Sequence, residues 1–166
     1  MNIFEIRYKF RVPADISKTW KTWTTKEGID SFFCRNNSLE FRPGGRFELY
    51  FDSSAEPGLK GSEDMTIMAI EHESMLSFTW NAPPSIPDIR GQITAVQIYF
   101  TSAGNSETEI LFINSGYGKG ESWQKTREYF IRAWGDIVLP KFRCVMENGP
   151  IDLENPPDCS VFSCNR

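Results

Sequence analysis

One histidine, His72, stands between Glu71 and Glu73, and a hydrolytic triad or a histidine-rich zinc site needs more than that. It falls between two alternating apolar runs, which predicts a solvated turn. Glu107 and Glu109 have the paired carboxyl chemistry of general acid–base work, but a spacing of two puts both on one edge of a strand, facing water. Gly116-Tyr117-Gly118-Lys119-Gly120 precedes a helical pattern, where free backbone N–H groups attract anions. It lacks the Gly-Lys-Ser/Thr ending and the βαβ setting of a phosphate loop, so it reads as a flexible strand-to-helix connection. Cys34, Cys144, Cys159 and Cys164 show no CxxC spacing, and no signal peptide precedes them. Reduced thiols in a cytoplasm are the expectation. On this reading no catalytic residue, metal ligand or cofactor is assigned. Arg46, Arg90 and Gln97 are left as polar groups that could point into a cavity.

The partners these residues exclude follow from charge. The 166 residues carry a net charge of −4, which gives no long-range attraction for nucleic acid. The densest basic run, Arg7, Lys9 and Arg11, has strand spacing and reads as one solvated face. No apolar run approaches the roughly 20 residues of a membrane span. Aromatic residues make up 14% of the chain, with 13 Phe, 5 Tyr and 5 Trp; such rings fill a core or line a pocket.

The elements that would position those rings alternate in type. Phe4, Ile6, Tyr8, Phe10 and Val12 alternate with charged residues, predicting a half-buried strand closed by Pro13. Ile16, Trp20 and Trp23 form the stripe of a short helix capped by Asp15. Thr24 and Glu27 have capping-box spacing for a second helix carrying Ile29, Phe32 and Phe33. From Ser38 to Asn114 short alternating runs predict five or six antiparallel strands in a meander. One holds Phe47, Leu49 and Phe51, another Leu76, Phe78 and Trp80, and further strands run from Ile93 to Phe100 and from Thr108 to Asn114. Trp123, Phe130, Trp134, Val138, Phe142 and Val145 then share one side of a long helix. Pro140 predicts a kink near Asp136 to Pro140. Gly149-Pro150 ends that helix, and residues 150–166 read as a loosely ordered tail after a single domain at 1–149.

Local motifs fit this order. Val12-Pro13-Ala14 before Trp20, Arg42-Pro43-Gly44-Gly45-Arg46-Phe47, Leu76-Ser77-Phe78-Thr79-Trp80, Ser115-Gly116, Trp123, Ala133-Trp134 and Glu147-Asn148-Gly149 follow one another at workable spacing. By these the chain resembles the activator of heat shock protein 90 ATPase homologue-like family, within the START/Bet v 1-like (SRPBCC) superfamily, from about Phe4 to Gly149. The resemblance implies an α+β helix-grip fold: a curved antiparallel sheet wrapped around a long C-terminal helix, with two short helices after the first strand. It departs from the family where Ala133 replaces a common Gly and Asn114 a frequent His, so no histidine-dependent role is carried over.

The resemblance also implies a cavity between sheet and C-terminal helix, and a sheet curling around a helix leaves such a space on physical grounds. The ligand-binding candidates are Trp23, Phe33, Phe47, Leu49, Phe78, Trp80, Phe130, Trp134 and Val138. The leading expectation is a binding module for a small apolar or amphipathic molecule. Alternatives are a chaperone ATPase cofactor linked to stress response, or a cyclase- or hydratase-like enzyme using the same cavity. The best-known activators work with an additional N-terminal domain, for which this chain is too short. Entry is expected through Ser115 to Gly120, whose three glycines would let it gate the cavity.

Overall fold

The computed structural model describes residues 2–166. Strand β1 (Glu5–Val12) begins the main sheet and pairs antiparallel with β7 (Thr108–Ser115), Phe10 opposite Ile110. Its charged face is solvated. Lys9 meets Glu109 at 3.2 Å, and Arg11 lies within 4.0 Å of both Glu107 and Glu109. Exposed pairs of this kind contribute little stability, and they account for both the basic run and the two carboxylates.

Two short helices follow. The Asp15 side chain accepts from the Lys18 amide and caps α1 (Ile16–Thr24). Helix α2 (Lys26–Phe32) starts one residue later than the sequence predicts. Its cap is Thr25, whose hydroxyl oxygen accepts from the Gly28 amide at 3.1 Å, while Thr24 bonds back to the Trp20 carbonyl inside α1. Two adjacent threonines made the register ambiguous.

The other strands are β2 (Asn37–Leu39), β3 (Phe47–Leu49), β4 (Ile67–Glu71), β5 (Met75–Trp80) and β6 (Thr94–Ser102). The five-stranded sheet runs β1-β7-β6-β5-β4, and β2 pairs with β3 alone. Phe51, expected in β3, lies beyond its end. The inner face of the sheet presents Leu76, Phe78, Val96, Ile98, Phe100, Ile110 and Phe112, all buried. Gln97 sits on the opposite, half-buried face, and Arg46 is exposed beside Glu40, so neither points inward.

The long helix is one continuous rod of three parts: α3 (Glu121–Arg132), a π-helical stretch (Ala133–Val138) and α4 (Leu139–Asn148). In place of the kink expected near Asp136 to Pro140 stands a widened turn that begins at Ala133, three residues before Asp136. In it the Leu139 amide donates to the Trp134 carbonyl, five residues back. Helix α4 ends at Gly149, whose φ of +86° suits glycine. Among the described residues, no helix is long and apolar enough to cross a membrane.

Residues 150–166, expected as a loose tail, run back along this helix. Ile151 and Cys159 are buried, and Ser160–Phe162 forms a short 3-10 turn. The Arg143 guanidinium lies 4.9 Å from the Phe10 ring and 5.4 Å from that of Phe162, and donates to the Phe162 carbonyl at 3.0 Å. Such a segment is fastened mainly through main-chain groups and single side chains, so it carries no periodic signal. Deleting residues 150–166 should lower the melting temperature by roughly 5–10 °C, since each kcal/mol is worth about 2–4 °C in a domain this size. Thermal unfolding followed by circular dichroism checks this; an unchanged midpoint would show the contacts to be idle.

Candidate functional site

The space between sheet and helix is filled rather than hollow. Phe47 stacks on Phe78 with ring centres 4.1 Å apart, and Trp23 packs on Phe32 at 4.9 Å and Phe142 at 5.4 Å. Trp23, Phe47, Leu49 and Phe78 are fully enclosed. They are therefore core, which corrects their place among the ligand-binding candidates. Rings at helix and strand spacing give the same pattern whether they close on each other or leave a void.

An apolar groove of about 270 Å³ runs along the edge of the long helix. Its floor holds the other five candidates, Phe33, Trp80, Phe130, Trp134 and Val138, with ring centres 5.1 Å apart for Trp80 and Trp134 and 5.8 Å for Phe33 and Trp134. Its rim holds Phe51, Tyr129 and Ile137, which are 55%, 41% and 50% exposed. Ala133 completes the wall. Trp134 is only 1% exposed, so the floor is nearly sealed and the free volume lies above it, between the rim side chains. No acid, amine or guanidinium lines this groove. Of the rim and wall, Tyr129, Ala133 and Ile137 lie outside the apolar stripe that the sequence displays. Tyr129, Ala133 and Ile137 recur every four residues beside the recognised stripe, and the widened turn brings Ala133-Trp134 and Ile137-Val138 to one opening.

Two polar arrangements shape the groove from outside. Asn114, wholly buried at the end of β7, donates to Thr94 Oγ1 at 3.1 Å and the Ala95 carbonyl at 3.0 Å. Its Oδ1 accepts from Trp134 Nε1 at 3.1 Å and from the Tyr117 hydroxyl at 2.5 Å. Every polar atom of this side chain is used, and Trp134 is held in one orientation. At the other end Arg90 clips two loops together, donating to the carbonyls of Gly58, Gly61 and Ala82. Arg90 borders a small recess of about 50 Å³ that shares Phe51, Trp80, Tyr129 and Phe130 with the groove.

The glycine loop does not border the opening. Tyr117 is buried and bonded, a Cβ on Gly118 would collide with the Trp123 indole, and Gly120 has a φ of +108°. The expected gate is thus an anchored connection, and alanine at Gly118 or Gly120 would strain it. His72 is 82% exposed in its turn. All four cysteines are free thiols; burial raises the pKa of Cys34 and Cys164, and burial with the neighbouring Cys144 pushes Cys159 up to about 11. Thiols so placed are poor nucleophiles. Among the described residues, no cluster of three His, Cys, Asp or Glu side chains could hold a metal ion.

Two phenols give the protein an alkaline limit. Burial, then the nearby Cys164 and Asp136, pushes Tyr8 up to about 12, and burial pushes Tyr117 far above the usual phenol range. Both folded values exceed the unfolded one of about 10, so the neutral phenol is favoured by folding. Their contribution is complete below pH 10 and is lost as pH rises through the folded values. The urea midpoint should begin to fall at about pH 8.5–9, where the Cys34, Cys159 and Cys164 thiols ionise in the unfolded chain but not in the folded one, and fall more steeply above about pH 10 as the two phenols join them; replacing Tyr8 with Phe should make the steeper part shallower.

Similar folds are known. The crystal structure of CalU16 from Micromonospora echinospora superposes with a TM-score of 0.64 at 18% identity, covering 90% of this chain and 78% of that one. An Hsp90 activator from Plasmodium falciparum, PFC0360w, gives 0.64 at 11%, covering 87% and 96%. The Aha1 dimer from Colwellia psychrerythraea gives 0.58 at 15%, covering 87% and 97%. At these identities the likeness is one of fold. No curated protein sequence matches the chain. Residues 13–139 match the family described as Activator of Hsp90 ATPase homolog 1-like protein. That span is most of the sequence, and with the five-stranded antiparallel sheet and long C-terminal helix it establishes that the chain belongs to this family.

Proposed function

We propose that the protein binds a small apolar molecule, or the apolar end of a larger one, in the groove beside the π-helical turn. The observation that carries this is the rim. Phe51, Tyr129 and Ile137 leave large apolar surfaces in water around a ring-floored opening, an arrangement that costs free energy until something covers it. Its volume lies just below the range of about 300–1,000 Å³ typical of pockets for drug-sized ligands, which favours a smaller group. The π-helical turn is a second support, because such turns concentrate at functional sites. With no charged side chain in the wall, the groove would select by shape and polarity. Native mass spectrometry of the purified protein, before and after organic extraction, tests this. An extractable small apolar adduct is expected; a single unchanged mass, together with no uptake of added apolar compounds, would overturn the reading.

Family membership favours a second reading, a cofactor for a chaperone ATPase, with the same exposed rim as the contact. In that case the protein should raise the ATPase rate of an Hsp90 chaperone, and Ile137→Glu should abolish the effect.

A further inference from the structure

The π-helical turn that shapes the groove has a gap in its own hydrogen bonding. The Leu139 amide is committed to the Trp134 carbonyl, and residue 140, next in line to serve the Gly135 carbonyl, is a proline with no N–H. The missing donor comes from the other end of the chain. The Cys164 amide donates to the Gly135 carbonyl at 2.8 Å. Beside it the Asn165 side-chain amide donates to the Ile131 carbonyl at 2.9 Å, and the Tyr8 hydroxyl lies 2.6 Å from Asn165 Oδ1 and 3.1 Å from the same carbonyl. Ser163 donates to the Asp136 carboxylate at 2.6 Å. The approach is so close that a Cβ on Gly135 would run into both the Asn165 amide and the Tyr8 hydroxyl.

We propose that the segment Ser163–Asn165 is a strap that holds the π-helical turn in its widened form, and that Asn165 is a positioning residue for the groove on the far side of that turn. The inference rests, for its functional half, on the groove being a binding site. Buried main-chain acceptors without donors are costly. Without the strap, the turn would relax toward ordinary helical pairing, moving Ala133, Trp134, Ile137 and Val138 relative to Phe33 and Phe51.

The test compares Asn165→Ala, Gly135→Ala and the double variant with the full-length protein. Ile110→Val, a buried substitution on the sheet, is the control for simple destabilisation. Amide hydrogen exchange reads the strap itself. Exchange within 133–139 should quicken about tenfold or more in either variant and in neither case extend to the sheet, while Ile110→Val leaves that stretch alone. Unchanged exchange there would overturn the proposal, whatever the groove binds. Titration with the neutral probe N-phenyl-1-naphthylamine reads the consequence. Each variant should weaken binding by about fivefold or more, and the double variant by clearly less than the product of the two, because both act on the approach of Asn165 to Gly135. Equal loss of affinity in Ile110→Val would reduce the strap to general stability. If the wild-type protein takes up no probe, the groove reading fails, and the exchange result alone decides whether the strap holds the turn.

Discussion

Trp134→Ala should destabilise the protein by about 3–5 kcal/mol, the cost of emptying a large, closely packed aromatic site. Its ring packs against those of Phe112 at 4.9 Å, Trp80 at 5.1 Å and Phe33 at 5.8 Å, joining the sheet, the groove floor and the residue that ends α2. It is also the point where the π-helical turn meets the sheet through Asn114. Urea denaturation of wild type and variant gives the difference directly. A loss below about 1 kcal/mol would mean the surroundings collapse freely into the space, as they would around an already loose cavity. Trp134→Phe should lose less, because one aromatic ring of the indole is kept, although part of its volume and the N–H bond to Asn114 are lost.

Asn114→Leu should cost about 2–4 kcal/mol, although leucine is of similar size and more apolar. The substitution leaves the Trp134 N–H and the Tyr117 hydroxyl buried without an acceptor, and an orphaned donor costs about 1–3 kcal/mol. Removing a partner along with it should recover part of the loss. The double variant Asn114→Leu, Tyr117→Phe, in which the hydroxyl that loses its acceptor is removed without changing the ring, is therefore expected to be more stable than the sum of the two single changes implies. Denaturation midpoints of the set provide the check, and strict additivity would show that the two side chains do not act as one network.

Much of the architecture could be read from residue order. The alternation in β1, the Asp15 cap and the stripe from Phe130 to Val145 each encode their element locally. The site was half legible for a specific reason. Periodicity tells which side of a strand or helix is apolar, and so it points alike to Phe33, Trp80, Phe130, Trp134 and Val138, which line the groove, and to rings that do not, because it cannot tell a ring closed against another ring from one that borders space. Trp23, Phe47, Leu49 and Phe78 went astray on that point. Phe51 reads as the next inward residue of β3 although it lies past that strand's end, and Tyr129 and Ile137 are not singled out because large apolar residues in water belong to no buried stripe. The tail was misjudged because main-chain donors have no sequence signature. Gly135 was the available clue: a glycine inside a long helix, five residues before a proline, marks a place where another part of the chain must come close.

The most direct test of the central claim is a fluorescence titration of wild type, Ile137→Glu and Phe51→Ser with N-phenyl-1-naphthylamine. Both positions are more exposed than buried or nearly so, so both variants should melt within about 2 °C of wild type, as surface substitutions do. The account predicts saturable, one-to-one binding by the wild-type protein and a loss of about tenfold or more in affinity when a charge is set into the rim at Ile137, where the bound probe would have to desolvate it. Phe51→Ser should weaken binding less, by removing one wall. Wild-type protein that shows no saturable binding, or an Ile137→Glu variant that binds as tightly as wild type, would contradict the assignment of the groove as a binding site.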